Sequence, residues 1–180
     1  MRATYLLPRE LHATAVTSLR QGTHGALKIS DPAARVVTDF RRDTALTVTE
    51  DLALEFVFDE MFRLGARAFL VVREQVVTGL ITAEHARADS TLERLRSRPG
   101  AVTDRLRVAD VMTASADVPA IDWRTIEVIR IGDLVEIFRG SGAQHLLVLE
   151  DEMPNLCRVR GLVHRVRLER QLGARWLSTP

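Results

Sequence analysis

Residues 65–85 and residues 142–167 carry one pattern twice. The first copy reads Gly-Ala-Arg-Ala-Phe-Leu-Val-Val, a short polar turn, then Val-Val-Thr-Gly-Leu-Ile-Thr-Ala-Glu-His. The second reads Gly-Ala-Gln-His-Leu-Leu-Val-Leu, a longer polar stretch, then Val-Arg-Gly-Leu-Val-His-Arg-Val-Arg. An internal repeat constrains architecture more than any local motif, because a small duplicated unit buries its apolar face against its copy. It also argues against an enzyme. Paired small units more often enclose a binding cleft than a catalytic constellation.

Extending each copy outwards gives one order of elements. Ala45–Val48 reads as a short strand, and Thr49-Glu50-Asp51 supplies a hydroxyl and acids suited to a helix start. Leu54, Val57, Phe58, Met61 and Leu64 then fall at helical spacing within Leu52–Leu64, and Gly65 ends the helix. Ala68–Val72 is a continuous apolar run, as in a strand covered on both faces. Arg73-Glu74-Gln75 turns the chain into a returning strand, Val76–Ile81. Thr82 is placed to cap a helix from Ala83 towards Ser97, and Pro99-Gly100 closes the unit.

In the second copy the matching pieces are a strand near Val118–Ile121, a helix Ile131–Arg139, strands Leu146–Leu149 and Val159–Val163, and a helix Arg165–Leu172. Residues 122–130 have no counterpart in the first copy, and the second hairpin carries a longer loop with Met153-Pro154-Asn155. Each unit therefore reads strand, helix, strand, strand, helix. The expected class is α/β (α+β), two three-stranded sheets packed together with helices against them. The divisions are a lead-in over residues 1–33, a first unit 34–100, a connector 101–107, a second unit 108–174 and a tail 175–180. Within the lead-in, residues 10–20 carry a weak helical pattern.

Composition narrows the function. A net charge of +1 offers no bulk attraction to nucleic acid or to a membrane surface. Lys28 is the only lysine, so the positive charge is almost wholly arginine. Cys157 is the single cysteine, which excludes an intrachain disulfide and fits a reducing cytoplasm. The first ten residues have no sustained apolar run of the signal-peptide kind, and no segment has the length of a membrane span. His12, His24, His85, His145 and His164 show no metal spacing. No nucleophile-base order, phosphate loop or paired-acid pattern is present, so the expectation is no catalysis and no required cofactor.

The order of these motifs resembles a tandem pair of CBS domains, the cystathionine β-synthase regulatory module also called a Bateman module. The resemblance rests on the opener Val108-Ala109-Asp110-Val111-Met112-Thr113, on the helix–Gly–strand passage Met61–Val72, on Gly79-Leu80-Ile81-Thr82, and on the duplication itself. It spans residues 34–97 and 108–172 and implies a stand-alone module. It further implies two β-α-β-β-α units related by a pseudo-twofold axis, clefts between them, and homodimerisation through helices. The ligands it implies are AMP, ADP, ATP or S-adenosylmethionine, acting as signals that alter the surface shown to an unidentified protein partner.

The candidate ligand-binding residues that follow are Ile81, Thr82 and His85 in the first unit and His145, Val163, His164 and Arg167 in the second. They depart from the family pattern Gly-apolar-apolar-Thr/Ser-x-x-Asp, in which the Asp accepts from both ribose hydroxyls. His85 and Arg167 stand at the two Asp positions, and His164 stands at the second Thr position. A neutral imidazole has one acceptor nitrogen and a guanidinium has none. Each lost hydrogen bond to a charged acceptor costs about 1.5–3 kcal/mol. The usual adenosine pose is therefore weakened in the first unit and disfavoured in the second, where Arg167 and His164 suit an anion. The other reading is a protein-interaction module whose clefts are filled by its own side chains.

Overall fold

The computed structural model describes residues 4–6, 27–85, 106–153 and 156–173. A short strand, β1 (Thr4–Leu6), comes first. The first repeat opens with a 3-10 turn, Ala33–Val36, and β2 (Thr38–Asp39). It continues with β3 (Thr47–Thr49), helix α1 (Leu54–Leu64), β4 (Ala68–Arg73) and β5 (Val76–Thr82). The second opens with α2 (Val108–Val111) and β6 (Thr113–Ala114). Then follow β7 (Ala120–Asp122), α3 (Trp123–Val128), α4 (Ile131–Ser141), β8 (His145–Met153), β9 (Leu156–His164) and α5 (Arg165–Leu172). No helix among the described residues is long and apolar enough to cross a membrane.

The two repeats share one irregularity. Each hairpin steps its register at the same place, between Val71 and Val72 and between Val148 and Leu149. Helices α1 and α4 both end on a glycine in the left-handed region, α1 at Gly65 as the sequence suggests, and α4 at Gly142 after running through Gly140 to Ser141, two residues past the expected end at Arg139.

Their openers are exchanged. β2 of the first repeat pairs with β9 of the second, and β6 of the second pairs with β5 of the first. The sheets are therefore four-stranded, not three-stranded: β3-β4-β5-β6 and β7-β8-β9-β2. Strand alternation cannot reveal this, because two-residue strands carry no periodicity. The exchange extends into the cores. Val36 is buried with Leu134, Phe138, Val148 and Val163, while Leu106 and Val108 are buried with Val57, Met61, Val71 and Ile81.

Glycine makes the exchange fit. A Cβ on Gly161 would lie 2.5 Å from the Thr38 carbonyl oxygen, and one on Gly79 would lie 2.7 Å from that of Thr113. Both distances are shorter than atoms tolerate, so each crossing requires a residue without a side chain.

A third apolar cluster fills the space between the sheets. It joins Leu70, Val77 and Leu80 to Leu147, Val159 and Leu162, with Phe40 beside them. Strand β4 accordingly buries Phe69 and Val71 on one face and Leu70 on the other, which explains its continuous apolar run.

Local details depart from the sequence reading. Helix α1 begins at Leu54 after Ala53, with no side-chain cap, and Asp51 bonds Thr49 instead. The returning turn is tighter than expected, because Glu74 and Gln75 both take positive φ, 49° and 72°. The second hairpin is longer than expected and its loop shorter, since pairing runs out to Met153 and Leu156. Residues 122–130 hold α3, capped where the Asp122 carboxylate accepts from the Arg124 N–H at 2.6 Å. After Thr82 a single turn over residues 83–85 is described. The rest of the helix expected there, and the pattern over residues 10–20, lie outside the described residues, as do His12 and His24.

Candidate functional site

The turns that leave β5 and β9 are held in one way. The Ala83 N–H donates to the Arg67 carbonyl at 2.9 Å, and the Arg165 N–H donates to the Gln144 carbonyl at 3.0 Å. These bonds put Thr82 and His164, and likewise His85 and Arg167, at equivalent places in the two repeats.

His85 closes the first turn on itself. Its Nδ1 accepts from the Thr82 N–H at 3.0 Å and lies 3.2 Å from the Thr82 hydroxyl. Because Nδ1 is an acceptor, the neutral ring carries its proton on Nε2. That nitrogen lies 3.2 Å from Thr113 Oγ1 and donates to it. Burial pushes the imidazole pKa down, partly opposed by Glu84, which fits this neutral tautomer. Arg167 makes the equivalent link in the second repeat, where its Nη1 donates to Thr38 Oγ1 at 2.9 Å. Each Asp-position residue therefore grips the opening threonine of the opposite repeat.

Between the two turns, His145 and His164 face each other across the β8–β9 ladder. Their ring centroids are 4.8 Å apart and the planes meet at 77°. Burial lowers the pKa of His145, against the pull of Glu84. His164 is pushed down to about 3 by burial, with His145, Arg167 and Arg67 adding to the shift. Both rings are neutral at physiological pH. With Arg67, Glu84, Gln144 and Val166 they line a shallow depression of about 190 Å³, including space open to solvent. Sites for small molecules usually enclose about 300–1,000 Å³. Ile81 and Val163 are fully buried in the repeat cores, and Thr82 is 5% exposed.

A second link between the repeats lies on β2 and β9. Arg160 donates through Nε and Nη2 to the two Asp39 oxygens at 2.8 and 3.2 Å, and through Nη1 to Glu150 at 3.2 Å. Its guanidinium carbon sits 4.1 Å from the centre of the Trp123 ring. Burial raises the Asp39 carboxyl pKa, but the Arg160 bonds and the Arg41 N–H outweigh it and hold it below the usual range.

The candidate residues therefore gather in the three-dimensional fold as follows. Thr82 and His85 form one cluster with Thr113, Arg167 joins Thr38, and His145 and His164 lie between them. Sequence reasoning missed Thr38, Thr113, Arg67 and Glu84. Thr38 was findable, since Ala33–Val36 and Val108–Val111 stand at equivalent places and each is followed two residues later by threonine. Among the described residues, no group of three or more His, Cys, Asp or Glu is placed to hold a metal ion.

No protein-family model and no curated protein sequence matches the chain. Solved structures do. A crystallised CBS domain aligns with a TM-score of 0.56 at 19% identity, covering 80% of this chain and 99% of that one. A signal-transduction protein with CBS domains from Burkholderia ambifaria, described as putative, aligns at 0.52 and 21% identity, covering 72% and 82%. CBSX2, a CBS-pair protein from Arabidopsis thaliana, aligns in its complex with AMP at 0.51 and 14% identity, covering 78% and 94%. The fold is that of a CBS-domain pair. Its two repeats are the two CBS-like halves, joined by exchanged openers.

Proposed function

We propose that the chain is a non-catalytic regulatory module, with CBS units at residues 34–100 and 108–174, that acts by the shape it presents to a protein partner. The observation that carries this reading is the closure of both Asp positions by the chain itself. The one acceptor nitrogen of His85 is taken by Thr82, and Arg167, which has no acceptor, is bonded to Thr38. Neither position is left with an acceptor for a ribose diol. A change in the angle between the repeats would have to move the Thr113 and Thr38 contacts together, which gives a partner two arrangements to distinguish.

A second reading keeps a ligand. The AMP complex of CBSX2 favours an adenosyl nucleotide or another anion between the units, near Ile81, Thr82, His85, His145, Val163, His164 and Arg167. It requires the His85–Thr113 and Arg167–Thr38 bonds to open. Calorimetric titration of the native chain with AMP, ADP, ATP and S-adenosylmethionine separates the two. The first reading expects no heat up to millimolar nucleotide. Saturable binding at micromolar nucleotide would replace it with the second.

We also propose a homodimer formed through the helices. Supporting it, Phe62 on α1 is 91% exposed and Phe56 on the same helix 53% exposed. Large aromatic side chains left in water on one helix are suited to burial against a second copy.

A further inference from the structure

Helices α1 and α4 are equivalent, 11 residues each and ended by Gly65 and Gly142, yet they turn different faces to the outside. Phe56 and Phe62 of α1 stand where α4 has Asp133 and Arg139. The α4 pair is used within the chain. The Asp133 carboxylate accepts from the Arg130 N–H at 2.7 Å, and Arg139 donates to Glu136 at 2.8 Å. The α1 pair is left in water, Phe62 at 91% exposure and Phe56 at 53%. A helix face that is apolar in one repeat and polar in its copy marks the first repeat as the side that meets another chain.

The charges around the two rings say which chain that is. Leu54, Val57 and Met61 turn inwards, so Glu55, Phe56, Asp59, Phe62 and Arg63 share the outer face. Glu55 and Asp59 hold its N-terminal part, and Arg63, with the exposed Arg67 just beyond Gly65, holds its C-terminal end. Arg63 is paired with Glu60 at 2.6 Å, and Glu55, Asp59 and Arg67 enter no ion pair among the described residues. A face that is acidic at one end and basic at the other complements itself when reversed. A twofold axis across the helix gives that reversal, with every contact made twice. A parallel pair would set acid against acid and base against base. We propose that α1 packs antiparallel against α1 of a second copy. The Phe56 and Phe62 rings form the apolar centre, and Glu55 and Asp59 of each copy face Arg63 and Arg67 of the other. Exposed ion pairs add little affinity, so the rings hold the contact and the charges set its direction. This rests on the homodimer reading and deepens it by naming the helix and its direction.

Sedimentation velocity over a concentration series tests it, with circular dichroism to confirm that each variant is folded. Four proteins are compared: the native chain, Asp59→Arg, the double variant Arg63→Glu with Arg67→Glu, and Glu136→Arg, which alters the place on α4 equivalent to Asp59. Asp59→Arg and the double variant are each expected to self-associate at least about tenfold more weakly than the native chain, because each change acts twice in the dimer. An equimolar mixture of the two is expected to regain the dimer, and Glu136→Arg to match the native chain. If the double variant does not fold, Arg63→Glu alone takes its place. A native chain that is monomeric removes the homodimer reading and this contact together. A native dimer that Asp59→Arg leaves unchanged, that Glu136→Arg weakens as much, or that the mixture fails to restore keeps the homodimer and overturns this contact.

Discussion

At the scale of single residues, the junction between the repeats rests on atoms that cannot be added or charged. Gly161 lies under the Thr38 carbonyl with no room for a methyl group. Gly161→Ala is expected to destabilise the chain by about 1–3 kcal/mol, the usual cost of overpacking, read as a lower urea midpoint. An unchanged midpoint would mean that the openers do not cross there. The His164 ring behaves as a buried base whose folded pKa lies near 3, against an ordinary value of 6.5. The unfolded chain therefore binds a proton at this residue between those pH values and the folded chain does not. Stability at this residue is complete above pH 6.5 and declines as pH falls towards 3. Between pH 7 and pH 5 the decline amounts to about 2 kcal/mol for this one ring. The His164→Gln variant should lose that much less than the native chain over the same interval in urea melts. Parallel losses in both would show that the ring is not buried neutral.

At the scale of elements, the long pieces were legible and the short ones were not. The stripe Leu54, Val57, Met61 lies buried against β4 and β5, and the apolar run at Ala68–Val72 became a strand covered on both faces. Those signals come from burial, which writes a period into the sequence. Strands β2 and β6 are two residues each, so what fixes them is a close crossing over a glycine in another element. The outer half of the second hairpin was also hidden. Glu150, Asp151 and Arg158 read as loop by polarity, yet they pair in the ladder, with Glu150 bonded to Arg160 and Arg41. The candidate site divides similarly. The motif located Thr82, His85 and Arg167, but the threonines they hold come from the other repeat. A contact across 28 residues, or across 129, leaves no local pattern. Helix α4 offers a check at this scale. Gly140 lies within it, and a Cβ there meets nothing within 4 Å. Gly140→Ala is expected to stabilise the chain by about 0.5–1 kcal/mol, opposite in sign to Gly161→Ala, in the same urea melts. Loss of stability there would place that turn of α4 elsewhere.

At the scale of the whole molecule, two sheets interlock by exchanging openers and bury one shared core. A structure closed in this way leaves its helices to meet other chains. Phe62→Asp is expected to turn a dimer into a monomer in sedimentation velocity, with a thermal midpoint that matches the native chain's once both are diluted to the monomer, since the position is exposed in the single chain. A native chain that already sediments as a monomer would remove the homodimer. The central claim is that each turn is closed by the chain's own side chains, at His85 with Thr113 and at Arg167 with Thr38. Replacing His85 by aspartate would put a carboxylate in place of the ring that closes the first turn. The most direct measurement is calorimetric titration with AMP of the native chain beside the His85→Asp variant. The expected result is no measurable heat for the native chain and an affinity at least about tenfold higher for the variant, the effect of one hydrogen bond to a charged acceptor. A native chain that binds AMP as tightly as the variant would contradict it.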